Sequence, residues 1–247
     1  MTKQAFDNII LIGRAGAGKS EFIDFLKHVN EDERLKKFHI GSFKEIDDFP
    51  WLHSTLKDED YWEKIGYPRR FGQRIENIYR TVDFNLYDFL SLKLSAEVKD
   101  KYLGNKEFYE KNALFIEFAR GRKNVYNRTF NELFDKEVLQ TSAIFFLDNT
   151  FEESMRRNEV RSTAGDKNQT ILHHKIPVET MNAYYQDHDW HELTGKKPFG
   201  YIEARGIKVP FVTVWNIPES HDFKVLEERY GAPIIKLWEL YQNRQRG

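Results

Sequence analysis

A chain of 247 residues, 40% apolar and 15% aromatic, is long enough for one large α/β domain with insertions and too apolar to be disordered. Its formal net charge of −1 gives no overall pull toward a nucleic-acid polymer or an anionic membrane, and the lack of cysteine excludes disulfides, thiolate catalysis and thiolate-held metals. No apolar run reaches the ~18 residues of a membrane span, and the first run is too short for a signal peptide, so a cytoplasmic protein with no membrane partner is expected.

The first element is Ile9-Ile10-Leu11-Ile12, an unbroken apolar run of the kind found in parallel strands covered on both faces. It leads into Gly13-Arg14-Ala15-Gly16-Ala17-Gly18-Lys19-Ser20, which matches G-x-x-x-x-G-K-[ST], the phosphate-binding loop. Gly13, Gly16 and Gly18 allow positive φ and close backbone approach. Successive N–H groups then form a nest for phosphate oxygens, at the positive end of the helix that follows. Lys19 is placed to reach the β- and γ-phosphates, and the Ser20 hydroxyl to ligate Mg²⁺. Phe22, Ile23, Phe25, Leu26 and Val29 recur at helical spacing, so the motif has the strand before it and the helix after it that it requires.

Residues 30–37 are charged and read as a solvated connection, and Phe38–Phe43 reads as a strand. Asp47 and Asp48 then fall just past a strand end, the edge where ligands bind in open α/β sheets; an ordinary turn is the alternative. Residues 51–112 are aromatic and mostly helical in pattern, a substrate-side insertion. Within it Arg70 and Arg74, four apart, share a helix face and are candidates to grip a substrate, whereas Glu76 and Arg80 make a surface pair. Ala113–Arg120 is a second strong strand. Glu117 near its end is a candidate for handling the metal, directly or through water, and Arg120 lies at the ligand edge; a salt bridge between Glu117 and an arginine is the alternative.

Thr129-Phe-Asn-Glu132 is a capping box opening a helix to about Leu139, and Ser142–Leu147 is a third strong strand. A second capping box, Thr150-Phe-Glu-Glu153, opens a helix that carries Arg156, Arg157, Asn158 and Arg161. Arginines clamp transferring phosphoryl groups, although Glu152–Arg156 and Glu153–Arg157 are also well spaced as surface pairs. Arg161 lacks such a local partner. Residues 162–205 are polar and weakly periodic, as in a lid or insertion. The pairs His173-His174 and His188…His191 lack a recognised ligand spacing and read as solvated. Val209–Trp215 is the last strand, with Asn216 at the ligand edge, and apolar spacing over 222–230 and 233–241 closes the chain.

This order resembles the P-loop nucleoside and nucleotide kinase group. The resemblance implies a single α/β domain over 1–247, a three-layer sandwich with a mostly parallel central sheet, a helical insertion and a lid. It implies ATP and Mg²⁺ as cofactors and a small-molecule acceptor, a nucleoside or nucleotide before others. By the same resemblance Asp47 or Asp48 contacts the acceptor hydroxyl, Arg157 and Arg161 are lid arginines on the donor phosphates, and Asn216 flanks the donor base. The Asp-Arg-[Ser/Tyr] signature of deoxynucleoside kinases is missing, as is the Asp-Gly-Phe/Tyr-Pro-Arg signature of monophosphate kinases. The competing readings are a nucleotide hydrolase without an acceptor and a non-catalytic nucleotide-binding module. A GTPase is disfavoured because no Asn-Lys-x-Asp sequence is present: Asn105-Lys106-Glu107 runs into Phe108.

Overall fold

The computed structural model describes residues 4–75, 78–164 and 176–244, the side chains of 161–164 excepted. β1 (Asn8–Gly13) is buried along its whole length. Ile9 and Leu11 face one core and Ile10 and Ile12 the other, so alternation is invisible in the sequence because both faces are covered. The chain continues through α1 (Lys19–His28), α2 (Glu31–Phe38), β2 (Ser42–Asp47), α3 (Phe49–Lys64), β3 (Gly72–Ile75), β4 (Ile78–Thr81), α4 (Asn85–Lys101), α5 (Lys106–Lys111) and β5 (Asn112–Ala119). Then come α6 (Val125–Arg128), α7 (Lys136–Gln140), β6 (Ser142–Asp148), α8 (Phe151–Ala164), α9 (Val178–Thr180), α10 (Trp190–Leu193), β7 (Phe199–Ala204), β8 (Ile207–Trp215) and α11 (Phe223–Arg244).

The central sheet has the order β2-β5-β1-β6-β8-β7, parallel except for the antiparallel edge strand β7. α1, α2 and α11 cover one face through Phe22, Phe25, Phe38, Tyr230 and Leu237. α4, α6, α7 and α10 cover the other through Leu94, Tyr126, Val138 and Trp190. The fold is thus the expected three-layer α/β sandwich. Register sets the working edge: Gly13 lies beside Ala119 on one side and Leu147 on the other, and Asp47 lies beside Glu117. Among the described residues no helix is long and apolar enough to cross a membrane.

Several local expectations are corrected. Residues 31–38 form a helix, not a solvated connection: the Asn30 side chain accepts the Asp32 N–H at 3.0 Å, and the buried Arg34 guanidinium donates to carbonyls of Leu26, Val29, Ile40 and Gly41. The strand that follows therefore starts at Ser42 rather than Phe38. The insertion at 51–112 contains the antiparallel hairpin β3–β4 between α3 and α4. Its entry is pinned by the buried Glu59 carboxylate, which accepts the N–H groups of Arg70, Phe71 and Gly72 at 2.7–2.8 Å. Arg74 thus lies on a strand and Arg70 ahead of it, so they share no helix face. Thr129 donates to the Val125 carbonyl at 2.8 Å inside a continuing helical turn and opens no new helix, whereas Thr150 does accept the Glu153 N–H at 3.1 Å. β7 falls within residues taken for the lid, and α11 runs through Pro233 because Tyr230, Ile234, Leu237 and Tyr241 form one buried stripe.

Phe22 ties α1 to the sheet, stacking on Phe145 at 4.3 Å between centroids and meeting Tyr230 edge-on at 5.0 Å. Phe22→Ala is expected to lower unfolding free energy by about 3–5 kcal/mol in urea titration; a loss under about 1 kcal/mol would contradict this packing account.

Candidate active site

The loop between β1 and α1 is held from beneath and behind. Gly16 and Gly18 have φ of 78° and 97°, the left-handed region that glycine enters without strain. The Asn149 amide donates to Gly16 O at 3.3 Å and the Asn216 amide to Ala17 O at 2.8 Å. A Cβ on Gly18 would collide with that Asn216 amide. Arg14 turns away from the loop, donating to the carbonyls of Tyr185 (2.7 Å), Asn149 (2.7 Å) and Gln186 (3.3 Å). Its side chain thus anchors the loop to the segment after α9.

Ala15, Gly16, Lys19 and Ser20 line a cavity of about 300 Å³ whose other wall carries Asp47, Asp48, Glu117, Tyr87 and Tyr185. Lys19 Nζ stands 3.8 Å from Glu117 Oε1, both side chains largely buried. Burial pushes the Glu117 carboxyl up to about 7 against the opposing charge of Lys19, with Asp47 adding to the shift. Burial, then Asp48, lifts Asp47 to about 6, although Asp47 Oδ1 accepts the Phe49 N–H at 3.0 Å. Asp48 is sealed against Arg120 at 2.6 Å. Burial alone would lower Arg120, but Asp48 more than reverses this and keeps the guanidinium charged. Arg120 also donates to Ser91 Oγ (2.9 Å) and the Tyr87 carbonyl (3.1 Å), leaving it 1% exposed.

The loop residues, Lys19, Ser20, Asp47, Asp48 and Glu117 are thus brought together. Arg120 is adjacent but saturated by protein partners, so it is a support for Asp48 and not a group open to substrate. Arg70 and Arg74 are not brought in: Arg70 lies over the Phe71 ring at 4.9 Å, and Arg74 faces Asp60 at 3.6 Å. Arg157 is buried behind the loop, bonded to Glu153 Oε1 at 2.7 Å and Asn216 O at 2.6 Å. Among the described residues its Nη1 has no hydrogen-bond partner, and it lies 3.1 Å from the Cβ position of Gly18. Asn216 faces the underside of the loop and not an open base pocket, its Oδ1 accepting from Arg229 (2.6 Å) and Tyr230 (3.0 Å). The turn after it lines, with Glu153 and Arg156, a separate cavity of about 440 Å³. The side chain of Arg161, together with Glu76, His173 and His174, lies outside the described residues.

Ser20 Oγ, Asp47 and Glu117 offer only oxygen donors at the loop mouth, a set that fits a hard divalent cation such as Mg²⁺. A different group forms on the far side of β6. Asp148 Oδ2 lies 3.0 Å from His191 Nε2, and Asp148 Oδ1 lies 3.9 Å from His188 Nε2, so these histidines are not simply solvated. His188 Nδ1 accepts the Trp190 N–H at 3.3 Å, which places the ring proton on Nε2, facing Asp148. Asp148 and His191 are thus at hydrogen-bond distance while His188 stands further off, and the three bring ligand atoms within 4.8 Å of one another.

Sequence reasoning missed Asn149, Tyr87, Tyr185 and Asn158. Asn149 directly follows a strong strand at the ligand edge, the same signal that marked Asp47. The tyrosines carry no comparable signal, because they reach the cavity through helix packing.

No protein-family model matches this sequence, and no curated relative matches it. Among solved structures, the chain is similar to the protein TT1252 from Thermus thermophilus: 14% identity, 96% of this chain and 98% of that one, TM-score 0.45. It is also similar to an unliganded sugar kinase from Janibacter sp. HTCC2649: 11% identity, 97% and 98% coverage, TM-score 0.43. At this distance the likeness carries no argument about the fold or role of this chain.

The raised Glu117 carboxyl has a consequence for stability. Its folded-state value lies above the ordinary 4.5, so the stability it contributes is full below 4.5 and lost as pH rises through about 7. Glu117→Gln, which mimics the neutral acid, is expected to melt about 2–6 °C above wild type at pH 8 in metal-free buffer, the gap closing by about pH 5. A variant no more stable than wild type at pH 8 would contradict the burial account.

Proposed function

We propose that this protein is a phosphotransferase of the P-loop small-molecule kinase kind. It moves the γ-phosphoryl group of Mg·ATP to a hydroxyl or phosphate of a small acceptor, a nucleoside or nucleotide before others. The observation that carries the reading is the arrangement across one cavity: a glycine loop with Lys19 and Ser20 on one wall, and Asp47 and Glu117 on the other. A hydrolase needs only the first wall and a water. A carboxylate that faces the loop across space for an organic molecule suits transfer to an acceptor.

In this reading the loop N–H groups and Lys19 hold the β- and γ-phosphates, with little covalent chemistry asked of the protein. Mg²⁺, which Ser20 would hold with Glu117 behind it, would supply charge neutralisation to the transferring phosphoryl group. Asp47, with its carboxyl at about 6, is ionised at neutral pH yet basic enough to accept the acceptor's proton. Asp48, tied to Arg120, adds like charge that raises the basicity of Asp47. Arg157, packed behind Gly18 on the Asn216 side, supports the loop from beneath instead of meeting the donor phosphates. Arg161, one helical turn further on, is assigned to transition-state charge and leads into the 162–176 segment. Asn158 anchors the return of that segment through paired bonds to Ile176 at 2.9 and 3.0 Å. The whole chain, 1–247, is read as one catalytic domain.

Lys19→Ala is expected to reduce Mg·ATP-dependent acceptor phosphorylation at least ~1,000-fold while urea unfolding stays close to wild type. Asp47→Asn is expected to lower kcat about 100- to 1,000-fold with a smaller change in KM for ATP. Both are read by coupled ADP release over an acceptor panel; wild-type turnover in the Lys19 variant would overturn the site assignment.

A further inference from the structure

The apolar wall of the cavity continues into a second, smaller one of about 70 Å³ between α3, the β3–β4 hairpin and α9. Phe49, Leu52, Tyr87, Ile176 and Tyr185 line both spaces, so one molecule can occupy the two. The smaller space is walled mostly by aliphatic and aromatic groups, including Leu56 and Tyr79, together with His53 and Thr81. It also holds Thr180, 2% exposed, whose hydroxyl has no hydrogen-bond partner among the described residues. A buried polar group without a partner costs free energy, and such groups in folded proteins usually meet a water or a ligand. An apolar chamber with one unpartnered hydroxyl is suited to an aromatic ring that carries a hydrogen-bonding atom.

The charges around the larger cavity point the same way. Lys27 faces Glu45 at 2.8 Å, Arg120 faces Asp48 at 2.6 Å and Lys19 faces Glu117 at 3.8 Å. Among the described lining residues, every cation therefore has a carboxylate partner, and Asp47 and Asp24 remain in excess. An anionic acceptor placed beside Asp47 would meet like charge with no described cation to offset it.

Resting on the phosphotransferase reading above, we infer that the acceptor is an uncharged alcohol with an aromatic ring. Its hydroxyl lies toward Asp47 and its ring in the chamber of Thr180, which sets specificity, and nucleotides and sugar acids are rejected. This narrows the acceptor to a class by charge and shape, and makes Thr180 a specificity-determining residue that takes no part in the chemistry.

The test is a binding measurement that does not require turnover. The full chain is loaded with Mg²⁺ and a non-hydrolysable ATP analogue. Calorimetry then follows matched probes: nucleosides against their 5′-monophosphates, and aryl-methanols against their carboxylated counterparts. The expected result is that the neutral member of at least one pair binds about 100-fold more tightly than its anion. Thr180→Val, which keeps the shape and removes the hydroxyl, should weaken that binding about tenfold, and Thr180→Ser should restore it. Equal or tighter binding of the anions, or no binding by any neutral probe, overturns the inference. So does wild-type affinity in a folded Thr180→Val variant. The two readings fail separately. A neutral probe that binds as described but is never phosphorylated leaves the acceptor class standing and removes the kinase reading. Phosphorylation of the anions at equal or better kcat/KM does the reverse.

Discussion

At Gly13 the backbone of β1 passes so close to β6 that a Cβ would sit 2.5 Å from the Leu147 carbonyl. That approach sets the level at which the sheet ends. Gly13 lies beside Ala119 and Leu147, and Asp47 lies beside Glu117, so the groups that follow these strands emerge at one edge. Asn149 and Asn216 follow two further strands at that edge, and their amides hold the carbonyls of Gly16 and Ala17. Because a trans peptide points its N–H opposite its C=O, holding Ala17 O from below turns the Gly18 N–H the other way. The loop is thus shaped by the sheet beneath it as much as by its own glycines.

The same edge concentrates charge that an ordinary core would not tolerate. Asp48 and Arg120 are compensated as a pair, and removing either would strand the other in the interior. Asp47 and Glu117 are less well compensated, and burial raises both carboxyls toward neutral pH. Poorly compensated buried carboxylates beside a helix N-terminus are the kind of local cost that folds retain at functional sites. Their position opposite Lys19 and Ser20 is where the proposed phosphotransferase would use them, as a proton acceptor and an oxygen-donor set for a divalent cation.

Much of this was legible in the sequence where one physical requirement dominated. Double burial made β1, β5 and β6 read as strands, and the glycine spacing marked the loop. Legibility failed where tertiary contacts decided. Residues 31–38 look solvated, yet Asn30 caps a helix there and Arg34 is buried by four carbonyls. Arg70 and Arg74 have helical spacing, but Glu59 gathers three N–H groups into a turn and a hairpin begins. Arg120 does directly follow β5, but its pairing with Asp48 depends on a strand register that no local pattern encodes. Tyr87 comes from α4, and Thr180 and Tyr185 come from α9 and the residues just after it, far along the chain, so their grouping exists only in the fold. His188 and His191 gained a partner in Asp148 for the same reason.

The central claim is that the cavity opposite Lys19 receives an organic acceptor for the γ-phosphoryl group. The most direct measurement is a single turnover with γ-labelled ATP and Mg²⁺, in the presence and absence of an acceptor mixture, with the label followed into products. The account predicts that label enters an organic phosphate and that release of inorganic phosphate falls when acceptor is present. Label appearing only as inorganic phosphate, at one rate with or without acceptor, would contradict it.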